Sequence, residues 1–171
     1  DDKKILKGEA GYNYLYRLNC GGDDYTDSFG QLWLQDNTNY SRSWAENFKD
    51  LNPYLASQRT TNDPIRGTRD WTLFQHFRFG RHQLEYRFPV ADGTYRIELY
   101  FTEPWHGTGG SASTDCEGLH IFDVAVNDSV VLDDLDIWAE SGHDGVCKKV
   151  VYATVKGGCL LYTSPSPRDR T

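Results

Sequence analysis

The chain has 171 residues, 14% of them aromatic, no Met, and a formal net charge of −7. That length suits one domain with a true core. The acidic balance argues against a surface that tracks phosphates, so nucleic acid is not an expected partner, and no apolar run approaches a membrane span, so no membrane partner is expected either.

Residues 1–11 are polar and read as a linker or leading segment, with the domain starting at residue 12. Residues 14–19 alternate loosely, as a strand does, and run into the turn cluster Cys20-Gly21-Gly22-Asp23-Asp24. Residues 31–36 read as a short strand carrying Trp33. Residues 37–69 are polar and broken by Pro53, Pro64 and Gly67, which predicts loops with at most one helical turn around Trp44 to Phe48. A loop that long inside a domain is usually functional or irregular.

After Asp70 the pattern sharpens. Residues 71–79 read as a strand with rings at Trp71, Phe74, Phe77 and Phe79, and Trp71 and Phe74 are expected in the core. Residues 83–88 put Leu84, Tyr86 and Phe88 on one face, and Ala91-Asp92-Gly93 turns the chain into residues 94–102, with Tyr95, Ile97, Leu99 and Phe101 inward. Residues 121–126 form a strand, Asn127-Asp128 a hairpin turn, and residues 130–132 its partner; residues 150–155 form another strand. Short alternating strands with a turn about every ten residues indicate an all-β, antiparallel β-sandwich. No Gly-x-Gly-x-x-Gly, Walker loop or βαβ spacing points to a nucleotide fold.

The last residues read differently. Residues 159–169 spell CLLYTSPSPRD, which can be written in codons as a transposase sequencing adapter translated in frame. A native Ser/Pro linker is the alternative. On the adapter reading the chain stems from an assembled environmental read, residues 159–171 are not native, and the domain of residues 12–158 lacks its C-terminal strand. Leu160 to Tyr162 can still fill, as a strand, the gap that a lost one leaves.

Among chemistry-bearing residues, the adjacent rings Trp105 and His106 stand out, on a loop between strands. Pyranose faces carry C–H groups that pack on aromatic planes, so this placement suits sugar binding better than bond breaking; a ring folded back on its own loop is the alternative. His106 either bonds a hydroxyl or faces water. Phe79 sits at a turn where it can join the same groove or the core. Glu103 can accept hydroxyl hydrogens, or pair with Arg78 or Arg81. Asp133, Asp134 and Asp136 invite a structural calcium reading, but without a Gly-spaced loop, turn-capping fits better, and no metal is expected. The scattered histidines form no zinc-protease pattern, and no Gly-x-Ser-x-Gly elbow occurs. Cys20, Cys116, Cys147 and Cys159 make no Cys-x-x-Cys pair; a Cys116–Cys147 disulfide is open in an oxidising compartment, with free thiols the favoured reading.

The stretches YRLNCGG with Asp27 and Gly30, LFQHFRFGRHQLEYRFPV, GTYRIELYFTE, and FDVAVND followed by VVLDDLDI resemble the malectin domain over most of residues 16–158. RTTNDPIRGTRDWTLFQ is similar, more narrowly, to malectin-like modules of bacterial family-2 glycosidases of the β-galactosidase type. The resemblance implies a jelly-roll-like sandwich that holds sugar by aromatic residues on loops at one end. By position, a ligand-binding Tyr of the family matches Phe79, and an adjacent Tyr-Phe pair matches Trp105 and His106. A further Tyr falls in a poorly aligned region where Tyr54 and Tyr40 are the candidates, and a sugar-binding Asp would lie beyond the point where the adapter string begins. Phe79 lacks the phenol hydroxyl, His106 replaces a flat apolar ring, and the loop of residues 107–118 is longer than in the animal protein, so the animal ligand is not carried over.

The resemblance further implies a non-catalytic carbohydrate-binding module of a larger periplasmic or secreted glycoside hydrolase. Its partners would be an oligosaccharide or polysaccharide and the catalytic domain of the same polypeptide, with no cofactor. One rival is a non-binding spacer that braces the catalytic domain. Another is a glycosidase domain using a carboxylate pair such as Glu103 and Asp123 across a cleft.

Overall fold

A computed structural model describes residues 4–36, 56–80, 84–104 and 116–164. In chain order the elements are β1 (Leu18–Asn19), β2 (Tyr25–Thr26), β3 (Leu32–Gln35), β4 (Ala56–Thr60), α1 (Trp71–Gln75), β5 (His76–Gly80), β6 (Leu84–Pro89), β7 (Gly93–Phe101), β8 (Ile121–Val126), β9 (Ser129–Asp136), α2 (Ile137–Ser141), β10 (Cys147–Val155) and β11 (Cys159–Ser164). One sheet runs β6-β11-β8-β9, antiparallel throughout, and β7 pairs with β10 in a second. Between them Val126, Val155 and Leu160 are buried, with Phe88, Tyr95, Ile97, Val131 and Ala153 packed around them. Strand alternation sends one face of each strand into this layer, and the fold is the all-β sandwich that the pattern predicts.

The far side of β7 is covered too. Tyr100 packs on a cluster of Leu6, Trp33, Ile65, Leu73 and Phe74. Residues 4–11 are therefore no free linker. Leu6 is buried, its carbonyl accepts from Gln31 Nε2 at 2.8 Å, and the Ile5 carbonyl accepts from Lys148 Nζ at 3.0 Å. The segment reads as polar because Ile5 and Leu6 alone carry its apolar burial.

Asp27 organises the turn before β3. Its carboxylate accepts from the backbone N–H of Phe29 and Gln31, from Gln31 Nε2, and from Trp33 Nε1, at 2.7–2.9 Å. Gly30 closes the turn at φ 75°, with its N–H on the Asp27 carbonyl. That is the physical content of Asp27 and Gly30 as motif residues: a buried acid saturated with donors, and a left-handed position that favours Gly. The predicted strand at residues 14–19 shrinks to β1, which pairs in parallel with β3.

Residues 71–79 do not form a single strand. Trp71 and Phe74 are spaced as on a helix turn, Phe77 and Phe79 as on a strand, and the chain follows both periods in turn as α1 and β5. Asp70 fixes the change by accepting from Ser28 N–H, Ser28 Oγ and Tyr25 OH. The correction reaches the core list: Phe74 is buried, but Trp71 is 45% exposed, with its Nε1 donating to the Thr68 carbonyl. β4, in the stretch expected to be loop, pairs with β5 over its whole length. Its sequence ASQRT carries no hydrophobic alternation to reveal it.

At the hairpin, Asn127 and Asp128 have φ of 48° and 64°, the pattern of the tight turn that matches strand twist. Its partner β9 runs to Asp136, longer than expected, because the β8–β9 ladder holds a bulge. The strand expected at Leu160 to Tyr162, filling a gap past Gly158, forms as β11. β11 lies between β6 and β8, Leu160 joins the core, and Leu161 N–H donates to Asn127 Oδ1 at 2.8 Å. Leu160 to Tyr162 supply the apolar residues that a central strand requires.

Candidate functional site

Registers gather several strand ends at one end of the sandwich. Leu84 of β6 lies opposite Ser164 of β11, and Ala56 of β4 opposite Gly80 of β5. Ile121 of β8 lies opposite Asp136 of β9, and Phe101 of β7 opposite Cys147 of β10. Phe101 and Cys147 share a cluster with Phe122, Leu132, Leu135 and Ile137, so the Phe101 end of one sheet faces the Ile121–Asp136 end of the other. The segments that follow Pro104, precede Ala56 and bridge Gly80 to Leu84 all leave the described strands there.

Of the residues expected at a sugar site, Trp105 and His106 lie outside the described residues, as do Tyr54 and Tyr40. Phe79 is placed by its backbone in β5, opposite Ser57 and next to the closing Gly80. Glu103 lies at the base of this end, not on its surface. It is 2% exposed, and its Oε2 is 2.8 Å from Nδ1 of His120. That hydrogen bond raises the His120 pKa against the opposing effect of burial. Of the two alternative partners expected for Glu103, Arg78 forms an ion pair with Asp36, and Arg81 lies outside the described residues. Asp36 Oδ2 also accepts from Gly21 N–H at 2.9 Å and Tyr86 OH at 3.0 Å, which ties the end of β3 to β5 and β6. Burial, with the Cys20 thiol and Asp36 close by, pushes the Tyr86 phenol well up, so it remains a donor.

Asp123, the other carboxylate weighed for catalysis, is also buried. It accepts from Asp134 N–H at 2.9 Å across the β8–β9 bulge, where Asp134 has φ 50°. Two residues of β9 face one of β8 there, which gathers Asp123, Asp133 and Asp134 without a metal being needed to explain it. Asp136, the third acid of the calcium reading, stands apart: its oxygens accept from Ala139 N–H, capping α2, and from Gly118 N–H. Cys116 and Cys147 are buried thiols, not joined in a disulfide, and burial, with Glu140 nearby, pushes Cys147 up to about 11.

A second titratable group was not legible in the sequence. Asp63, before α1, and the adjacent His143 and Asp144, after α2, bring their ligand atoms within 4.8 Å of one another. His143 and Glu103 form a parallel bridge, and Asp144 N–H donates to the Glu103 carbonyl at 3.0 Å, so this group adjoins the strand that leads to Trp105. Burial raises the Asp144 pKa, and Asp63 and Glu103 add to the rise against the opposing charges of His143 and Arg66.

The malectin domain family model matches residues 14–166. Malectin of Danio rerio is 25% identical over 163 residues, 92% of this chain and 51% of its own length. The chain spans about half the length of the curated relatives it matches. Among solved structures, Bacteroides uniformis β-glucuronidase 2, covalently bound to cyclophellitol-6-carboxylate aziridine, superposes with a TM-score of 0.62 at 22% identity, over 88% of this chain and 16% of that one. The plant receptor-like kinase ANX1 superposes with a TM-score of 0.66 at 20% identity, over 90% of this chain and 43% of that one. The family model covers nearly the whole chain, and the chain belongs to the malectin domain family, a carbohydrate-binding fold that is not itself catalytic.

Proposed function

We propose that this domain is the glycan-binding module of a larger periplasmic or secreted glycoside hydrolase of the β-galactosidase type. The observation that carries the reading is the convergence of strand ends at one end of the sandwich. The segments bearing Trp105, His106 and Tyr54 depart from that end, and Phe79 sits at its edge. The similarity to a β-glucuronidase, in which the matched stretch is 16% of the chain, supports an accessory place beside a catalytic domain. Trp105 and Phe79 stack on sugar C–H faces in this reading, His106 and loop polar groups bond hydroxyls, and Glu103 acts from below by holding His120.

The test is calorimetric titration of the purified chain with cellotetraose, maltotetraose, galactotetraose and glucuronic acid. One stacked ring contributes about 1 kcal/mol, so Trp105→Ala should weaken the best ligand by about fivefold or more with an unchanged melting temperature. Silence across gluco- and galacto-configured ligands and their polymers would overturn the reading. The spacer alternative would then stand. The outward face of β10, where Val150 and Tyr152 are exposed, is the surface it would use.

A further inference from the structure

The ligand atoms of Asp63, His143 and Asp144 lie within 4.8 Å of one another. His143 Nε2 and Asp144 Oδ2 are 2.8 Å apart. Two donors bound about 2.0–2.1 Å from one ion, at coordination angles of roughly 90–110°, sit about 2.8–3.4 Å from each other, so this pair already has the spacing of neighbouring ligands. An independent observation comes from the other oxygen of Asp144. The residue is 7% exposed, and Oδ1 is buried with no hydrogen-bond partner. A buried carboxylate oxygen without a donor is costly, and a cation removes that cost.

The surroundings hold these groups in place. Asp144 adopts φ 52°, its N–H donates to the Glu103 carbonyl, and its carbonyl accepts from Arg66 N–H at 2.8 Å. The Arg66 guanidinium is engaged with the carbonyls of Ser141 and His143 at 2.9 and 2.7 Å. Asp63 supplies an exposed carboxylate from a separate loop. The Asp123–Asp133–Asp134 group differs, because its acids meet across a strand bulge and a backbone N–H occupies Asp123 Oδ1.

We propose that Asp63, His143 and Asp144 bind one divalent transition-metal ion. One imidazole and two carboxylates suit zinc or cobalt, whereas calcium takes six to eight oxygens. The ion joins the loop before α1 to the loop after α2, and through Asp144 N–H it braces the segment just past β7 at Glu103. The inference is independent of the glycan reading.

The experiment uses the full chain, stripped by chelator and titrated at neutral pH with cobalt(II), then with zinc(II). One cobalt per chain is expected, with d–d bands, no thiolate charge-transfer band, and displacement by zinc. Asp63→Asn alters an exposed side chain and should leave the fold intact while weakening zinc by about tenfold or more, as should Asp144→Asn and His143→Ala. The control variants His76→Ala and Asp133→Asn should bind as the parent does. A missing cobalt spectrum, a thiolate band that assigns the metal to cysteine, or unchanged affinity in Asp63→Asn and Asp144→Asn would overturn the proposal.

Discussion

Asp27 shows how far one residue governs this fold. Burial alone would raise its pKa, but the donors of Trp33, Gln31 and Phe29 outweigh burial and hold it below the usual carboxylate value. As pH falls, the unfolded carboxyl, near 3.9, takes its proton before the folded one does. The stabilisation is therefore complete above the unfolded value and is lost as pH drops through the folded one. Denaturant melts between pH 6 and pH 3 should show that loss, and Asp27→Asn should be less stable at pH 6 and less sensitive to acid. Its cost at neutral pH should be about 1–3 kcal/mol, since buried donors lose a charged acceptor. Single residues were only partly legible in the sequence. Asp27 and Gly30 were visible as motif residues, yet the donors that make Asp27 matter come from its three-dimensional setting. Trp71 was misplaced because a large ring defaults to the core, whereas the hydrogen bond from its indole to Thr68 holds it at the surface. Asp144 gave no signal, because Asp63, Arg66 and Glu103 reach it from segments remote in sequence.

Secondary elements were legible where one face is apolar and the turn chemistry is local. β6, β7, β8 and the Asn127-Asp128 hairpin follow directly from alternation and turn residues. Both turn residues have positive φ, so Asp128→Gly should stabilise the domain by about 0.5–1 kcal/mol and Asp128→Val should destabilise it by about 1–2 kcal/mol, read by thermal unfolding. Asn127 is less replaceable, because its side chain also accepts from Leu161 N–H. β4 and the α1–β5 junction were hidden, since a polar strand has no period to detect and a tertiary anchor at Asp70 decides where helix yields to strand. β11 makes the strongest demand on the sheet. Leu160→Ala should cost about 2–4 kcal/mol by leaving a cavity among Val126 and Val155. A chain ending at Gly158 should lose its cooperative melting transition, because β6 and β8 would each lose their shared neighbour.

For the whole molecule, the sandwich class was readable from strand count and spacing, but the pairing order was not. β11 between β6 and β8, and β1 parallel to β3, unite segments that no local pattern connects. The proposed glycan end rests on the family resemblance, while the burial of Glu103, Asp123 and Asp144 is a product of tertiary packing that no local pattern announces. Within the described residues no helix is long and apolar enough to cross a membrane.

Ile5 and Leu6 sit against the back of β7 like a cork, held by Gln31, Lys148 and Tyr100. A protease that nicks the exposed stretch after them, near Gly11, would cut the tether but leave the cork seated until the chain next breathes. The nicked molecule should look intact by circular dichroism and then shed its leading peptide on gentle warming, baring Trp33 and Phe74 to quenchers well before the two main sheets part.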